Sequence, residues 1–166
     1  QPDNAVLFVG GRIDVEKTLA TVDKYFSPIP KPTRQLPKFY TTEPTQDGER
    51  TVTVRRAGDN QMVVAAYHVP SIAHPDLPAL SILGQLLSAS PNGTLYKALV
   101  ETKKATSATG RPSPNGEAGL FTFSSSLRKD QDIEDVKKTL IETVENYAKT
   151  PISTAEVERA RELLVK

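Results

Sequence analysis

Five prolines fall between residues 28 and 44 (Pro28, Pro30, Pro32, Pro37 and Pro44), and they divide the chain before anything else is read. Proline fixes its own φ, removes a backbone donor and biases the preceding residue away from the helical region. The stretch is therefore neither a helix nor a central strand, and the sequence predicts an extended, stiff connector over residues 28–50. A structureless link of that length is unusual inside a compact domain, so it reads as a boundary. A strand–helix piece over residues 1–27 lies on one side, and the main body, over residues 51–166, on the other.

Hydrophobic periodicity fills in both sides. Ala5-Val6-Leu7-Phe8-Val9 is a continuous apolar run ending at Gly10-Gly11, the pattern of a strand buried on both faces. Asp14 is placed to cap a helix that carries Val15, Leu19, Val22 and Phe26 and stops at Ser27-Pro28. Beyond the connector, Thr51-Val52-Thr53-Val54-Arg55 alternates as a half-buried strand. Asp59-Asn60 supplies a turn, and Met62 to Val69 is expected to pair antiparallel with that strand. His74 or Asp76 caps a helix with a broad apolar face (Leu77, Leu80, Ile82, Leu83, Leu86, Leu87). Pro91-Asn92-Gly93 breaks the chain before a helix over residues 94–104. Two strands are expected next, over 106–110 and 120–127, with a turn-rich segment from Pro112 to Gly116 between them. The last third reads as two helices. Asp132 heads the first, and Ser153-Thr154-Ala155-Glu156 is a capping box at the start of the second. The sum is an α+β fold, a mainly antiparallel sheet with helices packed on it.

No catalytic set emerges from the residue chemistry. The two histidines, His68 and His74, stand six positions apart across Pro70; a helical zinc site needs them at a spacing that aims both rings at one ion. Gly10-Gly11 sits where phosphate loops sit but lacks the Gly-x-Gly-x-x-Gly fingerprint, so it reads as a turn needing positive φ. Ser124-Ser125-Ser126 has no glycine elbow around it. Strand alternation sets Phe121, Phe123, Ser125 and Leu127 on one face and Thr122, Ser124 and Ser126 on the other, a polar face suited to water. Arg55-Arg56 and Lys103-Lys104 read as solvated pairs, and Glu101, Glu142 and Glu145 as helix-surface residues with no paired-carboxylate arrangement.

Composition narrows the classes of function. Lysine and arginine number 21 against 20 acidic residues, a net charge of +1, without the excess that nucleic-acid binding through a basic face requires. No apolar run approaches the roughly 18 residues of a membrane span. The chain has no cysteine, which rules out disulfides and thiol-ligated metal. It opens on Gln1 and stops at Leu164-Val165-Lys166 without the glycine or proline that usually closes a helix. The expectation is a piece of a longer protein.

One pattern carries further. Asp3-Asn4-Ala5-Val6-Leu7-Phe8-Val9-Gly10-Gly11-Arg12-Ile13-Asp14, followed by a helix ending Lys24-Tyr25-Phe26-Ser27-Pro28-Ile29-Pro30, resembles a stretch of the pitrilysin-type (inverted-zincin) metallopeptidases. The similarity continues through Glu43-Pro44, Gly48-Glu49-Arg50, Ala66-Tyr67-His68-Val69-Pro70 and His74-Pro75-Asp76-Leu77-Pro78-Ala79-Leu80. It persists from Gly93-Thr94-Leu95-Tyr96 to Glu101, and at Ile152-Ser153, Glu156 and Arg159-Ala160.

The resemblance implies that residues 1–27 are the strand–helix end of a zinc-bearing subdomain. It implies that residues 51–166 are most of the non-catalytic domain following it in a zinc metalloendopeptidase, truncated at its C-terminal end and walling the chamber that encloses a peptide or unfolded protein. In the family the His-x-x-Glu-His motif and a downstream glutamate lie before the point where this chain begins. No catalytic or metal-ligating residue is therefore carried over. Zinc is expected in the parent protein and not in this segment, and the partners implied are the remaining domains of the same enzyme. Relatives that contribute an Arg and a Tyr to the substrate site have them near the places that hold Val100 and Thr106 here. The resemblance also points to the bacterial periplasm. Two other functions fit the same residues, a structural or assembly subunit without peptidase activity and a peptide-binding module acting by strand addition.

Overall fold

The computed structural model describes residues 4–33, 35 and 44–165. The expectations at Asp3, Pro37 and Glu43, and for residues 34 and 36–43 of the connector, lie outside those residues. The chain forms two compact units, Gln1–Val52 and Thr53–Lys166.

The first unit contains helix α1 (Val15–Phe26). Asp14 opens it in extended conformation, and its carboxylate accepts a hydrogen bond from Lys17 N at 3.1 Å, satisfying one of the backbone donors that a helix start leaves open. Gly11 has φ +124°, so the sharp turn before the helix uses the left-handed region as the sequence predicts. The run Ala5–Val9 does not form the expected strand. A strand is defined by its ladder, and among the described residues of this unit no second strand offers one; Val6 is 97% exposed and Phe8 89%. Helix α1 is amphipathic, and none of its residues is buried.

The second unit is a three-stranded antiparallel sheet covered by helices on one face. Its strands are β1 (Asn60–Val69), β2 (Ser107–Ser113) and β3 (Gly119–Arg128), in spatial order β1-β3-β2. Thr51–Arg55, expected to pair with β1, forms no regular structure and no ladder, and β1 takes β3 as its partner, Asn60 opposite Arg128 and Val69 opposite Gly119. Strand β2 also runs further than expected, through Pro112 and Ser113. As an edge strand it can hold a proline, because a missing N–H on the outer side removes nothing from the ladder.

Helices α2 (Leu77–Ser88), α3 (Ile133–Glu145) and α4 (Thr154–Val165) follow the expected order. The expected helix over 94–104 is largely a π-helical stretch, Tyr96–Glu101, closed by Lys103 at φ 63°. Asp132 caps α3, accepting from Glu134 N at 2.9 Å and Asp135 N at 3.3 Å. At α2 the Asp76 side chain makes no capping bond. The nearby ring of His74 accepts from Asp76 N at 3.2 Å instead.

The core is built from one face of each element. Leu87, Leu95, Leu99, Leu127, Val136 and Leu140 are essentially inaccessible. The rings of Phe121 and Phe123 stack at 4.5 Å, and Tyr67 meets Phe123 edge-on at 6.0 Å. Ser125 is fully buried on the same face, and its hydroxyl donates to Ser107 O at 2.8 Å, which removes the penalty of burying it. Lys104 corrects the expectation of a solvated pair, since its ammonium lies 2.9 Å from Asp135 Oδ2 and donates to Thr139 Oγ1 at 3.1 Å.

The capping box at α4 is reciprocal. Glu156 N donates to Ser153 Oγ at 3.3 Å, while the Glu156 carboxylate accepts from Ser153 N at 2.9 Å and Ser153 Oγ at 2.7 Å. Those bonds favour the charged carboxylate and hold its pKa below the usual value, with Arg159 and Lys97 adding to the effect. A carboxyl with a lowered folded-state pKa stabilises the fold above its unfolded pKa and loses that contribution as pH falls through the lowered value. Urea midpoints measured from pH 6 to pH 3 are expected to converge between the wild type and Glu156→Gln at the acid end and to differ above it. Ser153→Ala is expected to cost about 0.5–2 kcal/mol.

Candidate functional site

Alternation along the three strands sends one set of side chains into the helices and the other to the opposite face of the sheet. On that open face, Ser107, Thr109 and Arg111 of β2 lie opposite Ser126, Ser124 and Thr122 of β3, which lie in turn opposite Met62, Val64 and Ala66 of β1. The side chains of β2 there are exposed, those of Thr122, Ser124 and Ser126 half-buried. Thr109 Oγ1 and Ser124 Oγ are 2.8 Å apart, a cross-strand hydroxyl pair. At the end of the row Thr106 Oγ1 donates to the main-chain oxygen of Ser126 at 2.9 Å.

The face is thus graded. Its β2 side and centre carry hydroxyls and one guanidinium, and its β1 side carries the exposed aliphatic residues Met62 and Val64. Hydroxyls can donate and accept, so such a surface suits extended polypeptide in many sequences. The polar face is legible in the sequence at Thr122, Ser124 and Ser126. The contribution of β2 is not, because Pro112 hides the end of that strand from a periodicity argument.

A second group of polar residues lies where α2, the start of the π-helical stretch and α4 converge. A cleft of about 110 Å³ there is lined by residues including Thr94, Lys97, Tyr147, Glu156 and Arg159. Burial, then the Glu156 charge, push the Tyr147 phenol above its ordinary pKa, opposed by a hydrogen bond with Thr94. Glu156 is committed to the α4 cap, so the cluster ties that helix to the core and presents no acid–base pair.

Zinc does not fit the described residues. His68 is on the open face of β1 and His74 is in the loop before α2, held at its own Asp76. Among the described residues no three His, Cys, Asp or Glu side chains come together as a metal donor set. A zinc site needs three or four such ligands around one point. Also among the described residues, no helix is long and apolar enough to cross a membrane.

The second unit is thus a helix-backed antiparallel sheet with one open hydroxyl face. Residues 1–164 match the family described as the peptidase M16 inactive domain, and the chain belongs to it. It is 28% identical over 164 residues to the zinc protease PqqE of Helicobacter pylori, covering 97% of this chain and 37% of that protein. Among solved structures it is similar to the inactive peptidase domain of a Bordetella parapertussis protein described as a zinc protease. That match has 36% identity and a TM-score of 0.59 over 69% of this chain and 62% of the other. A protease from Helicobacter pylori matches with a TM-score of 0.83 and 25% identity, over 92% of this chain and 38% of that one. The chain therefore spans little more than a third of the curated relative's length.

Proposed function

We propose that this domain forms part of the wall around the polypeptide substrate of a zinc metalloendopeptidase, with hydrolysis carried out by residues elsewhere in that enzyme. The observation that carries the reading is the division of the sheet. One face is closed by helices over a core of leucines and phenylalanines, and the other is open and carries Ser107, Thr109, Arg111, Thr122, Ser124 and Ser126. A hydrated, hydroxyl-bearing surface on a rigid support can hold many peptide sequences weakly without competing with the chemistry. The partners of this domain are then the remaining domains of the same enzyme and, through them, a peptide or unfolded protein. The periplasmic location expected from the family belongs to the same proposal.

Measurements on the chain alone and on the full-length enzyme test it. The chain by itself is expected to bind less than stoichiometric zinc on metal analysis, to keep its urea midpoint in EDTA and to leave unfolded peptide uncut. In the full-length enzyme, an unfolded peptide carrying a photoreactive group is expected to crosslink near Ser124 and Thr109. It is not expected to label the exposed side of α3 around Lys138. Equal labelling of both places, or metal-dependent cleavage by this chain alone, would overturn the reading.

A further inference from the structure

The two edges of the sheet are guarded differently. Strand β2 carries Arg111 and Pro112, devices that discourage a further strand from adding. Strand β1 has ten residues, Asn60–Val69, without one Lys, Arg, Asp, Glu or Pro. Among the described residues its only strand partner is β3, so the outer edge of its first half is open. Met62 on that half is 62% exposed.

Just before it in the chain, separated by Ala57-Gly58-Asp59, lies a short segment without regular structure, in which Val54 is 70% exposed. The connection is already fixed at its β1 end. Asp59 O accepts from Lys129 N at 3.1 Å, and the Asp59 carboxylate accepts from Lys129 Nζ at 2.8 Å.

We propose that residues 53–56 are a strap that closes onto the outer edge of β1 and guards it against strand addition by unfolded polypeptide. The closed state is a hairpin with the three-residue loop Ala57-Gly58-Asp59, a length common in hairpins. Arg56 then stands opposite Asn60, Arg55 opposite Gln61, Val54 opposite Met62 and Thr53 opposite Val63. This register sets the exposed Val54 beside the exposed Met62 on one face of the sheet. A slip of one residue would put Thr53 beside Met62 and send Val54 to the other face. The structure holds the strap open, with both aliphatic side chains in solvent; closing covers them and supplies ladder partners for the edge. The inference concerns the edge of the sheet and stands apart from the peptidase reading.

The natural absence of cysteine makes the test clean. Directly opposed residues of an antiparallel pair have Cα atoms about 4.5–5.5 Å apart, inside the range of about 4.4–6.8 Å that a disulfide spans. In a glutathione redox buffer the double variant Val54→Cys/Met62→Cys is expected to lose both free thiols to an intramolecular disulfide. Thr53→Cys/Met62→Cys, one residue out of register, is expected to keep them. All three substituted positions are at the surface, and far-UV circular dichroism confirms that each variant is folded. No disulfide in the first variant, equal linking in both, or linking in the second alone would overturn the proposal.

Discussion

Replacing Phe123 by alanine is expected to lower stability by about 3–5 kcal/mol, the usual cost of removing a fully buried ring. Phe123 is 2% exposed, stacks on Phe121 and receives the edge of Tyr67. It also closes over Gly110, where a Cβ would lie 2.5 Å from its ring, so its removal uncovers the backbone of strand β2 as well as the two aromatic partners. The neighbouring β-carbons belong to paired strands and cannot collapse into the space. Urea unfolding followed by circular dichroism reads the loss. Phe121→Ala combined with it is expected to cost less than the sum of the two singles, because their stacking is removed only once. A loss below about 1 kcal/mol would show that the sheet is not held to its helices through this aromatic cluster.

Gly93→Ala is expected to be a strongly damaging conservative change outside that cluster. A Cβ at residue 93 would fall 2.6 Å from Ala89 N and 2.7 Å from both Leu87 O and Ser88 C. All three are backbone atoms at the end of α2, so no side-chain rotation relieves the clash, and the turn that feeds the π-helical stretch must move. Overpacking of this kind costs about 1–3 kcal/mol. Gly116→Ala is the control. A Cβ there meets nothing within 4 Å, and the substitution is expected to be neutral or to stabilise by up to about 1 kcal/mol through a less flexible unfolded chain. Similar urea midpoints for the two variants would contradict the close approach at Gly93.

Much of the molecule is legible in the sequence because the signals are local. Asp14, Asp132 and the Ser153–Glu156 box mark helix starts through bonds spanning two or three residues, and the structure makes each of them. The alternation of Phe121, Phe123, Ser125 and Leu127 with Thr122, Ser124 and Ser126 defines the two faces of β3, and the observed burial follows it. The failures share a cause. Ala5–Val9 and Thr51–Arg55 both have the composition of strands and form none, because a strand also needs a neighbour that its own residues do not specify. Pro112 reads as a strand breaker and is held within β2, since only the sheet order reveals that this is an edge. Lys104 reads as solvated in sequence, and only folding brings Asp135 and Thr139 within its reach.

The sequence alone determined where α1, α3 and α4 start, the two-faced character of β3 and the resemblance to the metallopeptidases. Those depend on which residues are present and on interactions within one turn of helix or one strand. Tertiary structure alone decided that β1 pairs with β3, that β2 forms the far edge, and that the hydroxyls of β2 and β3 gather on one open face. Pairing Asn60 with Arg128 joins parts of the chain that no local preference links. The choice rests on how much apolar surface the whole sheet can bury against its helices.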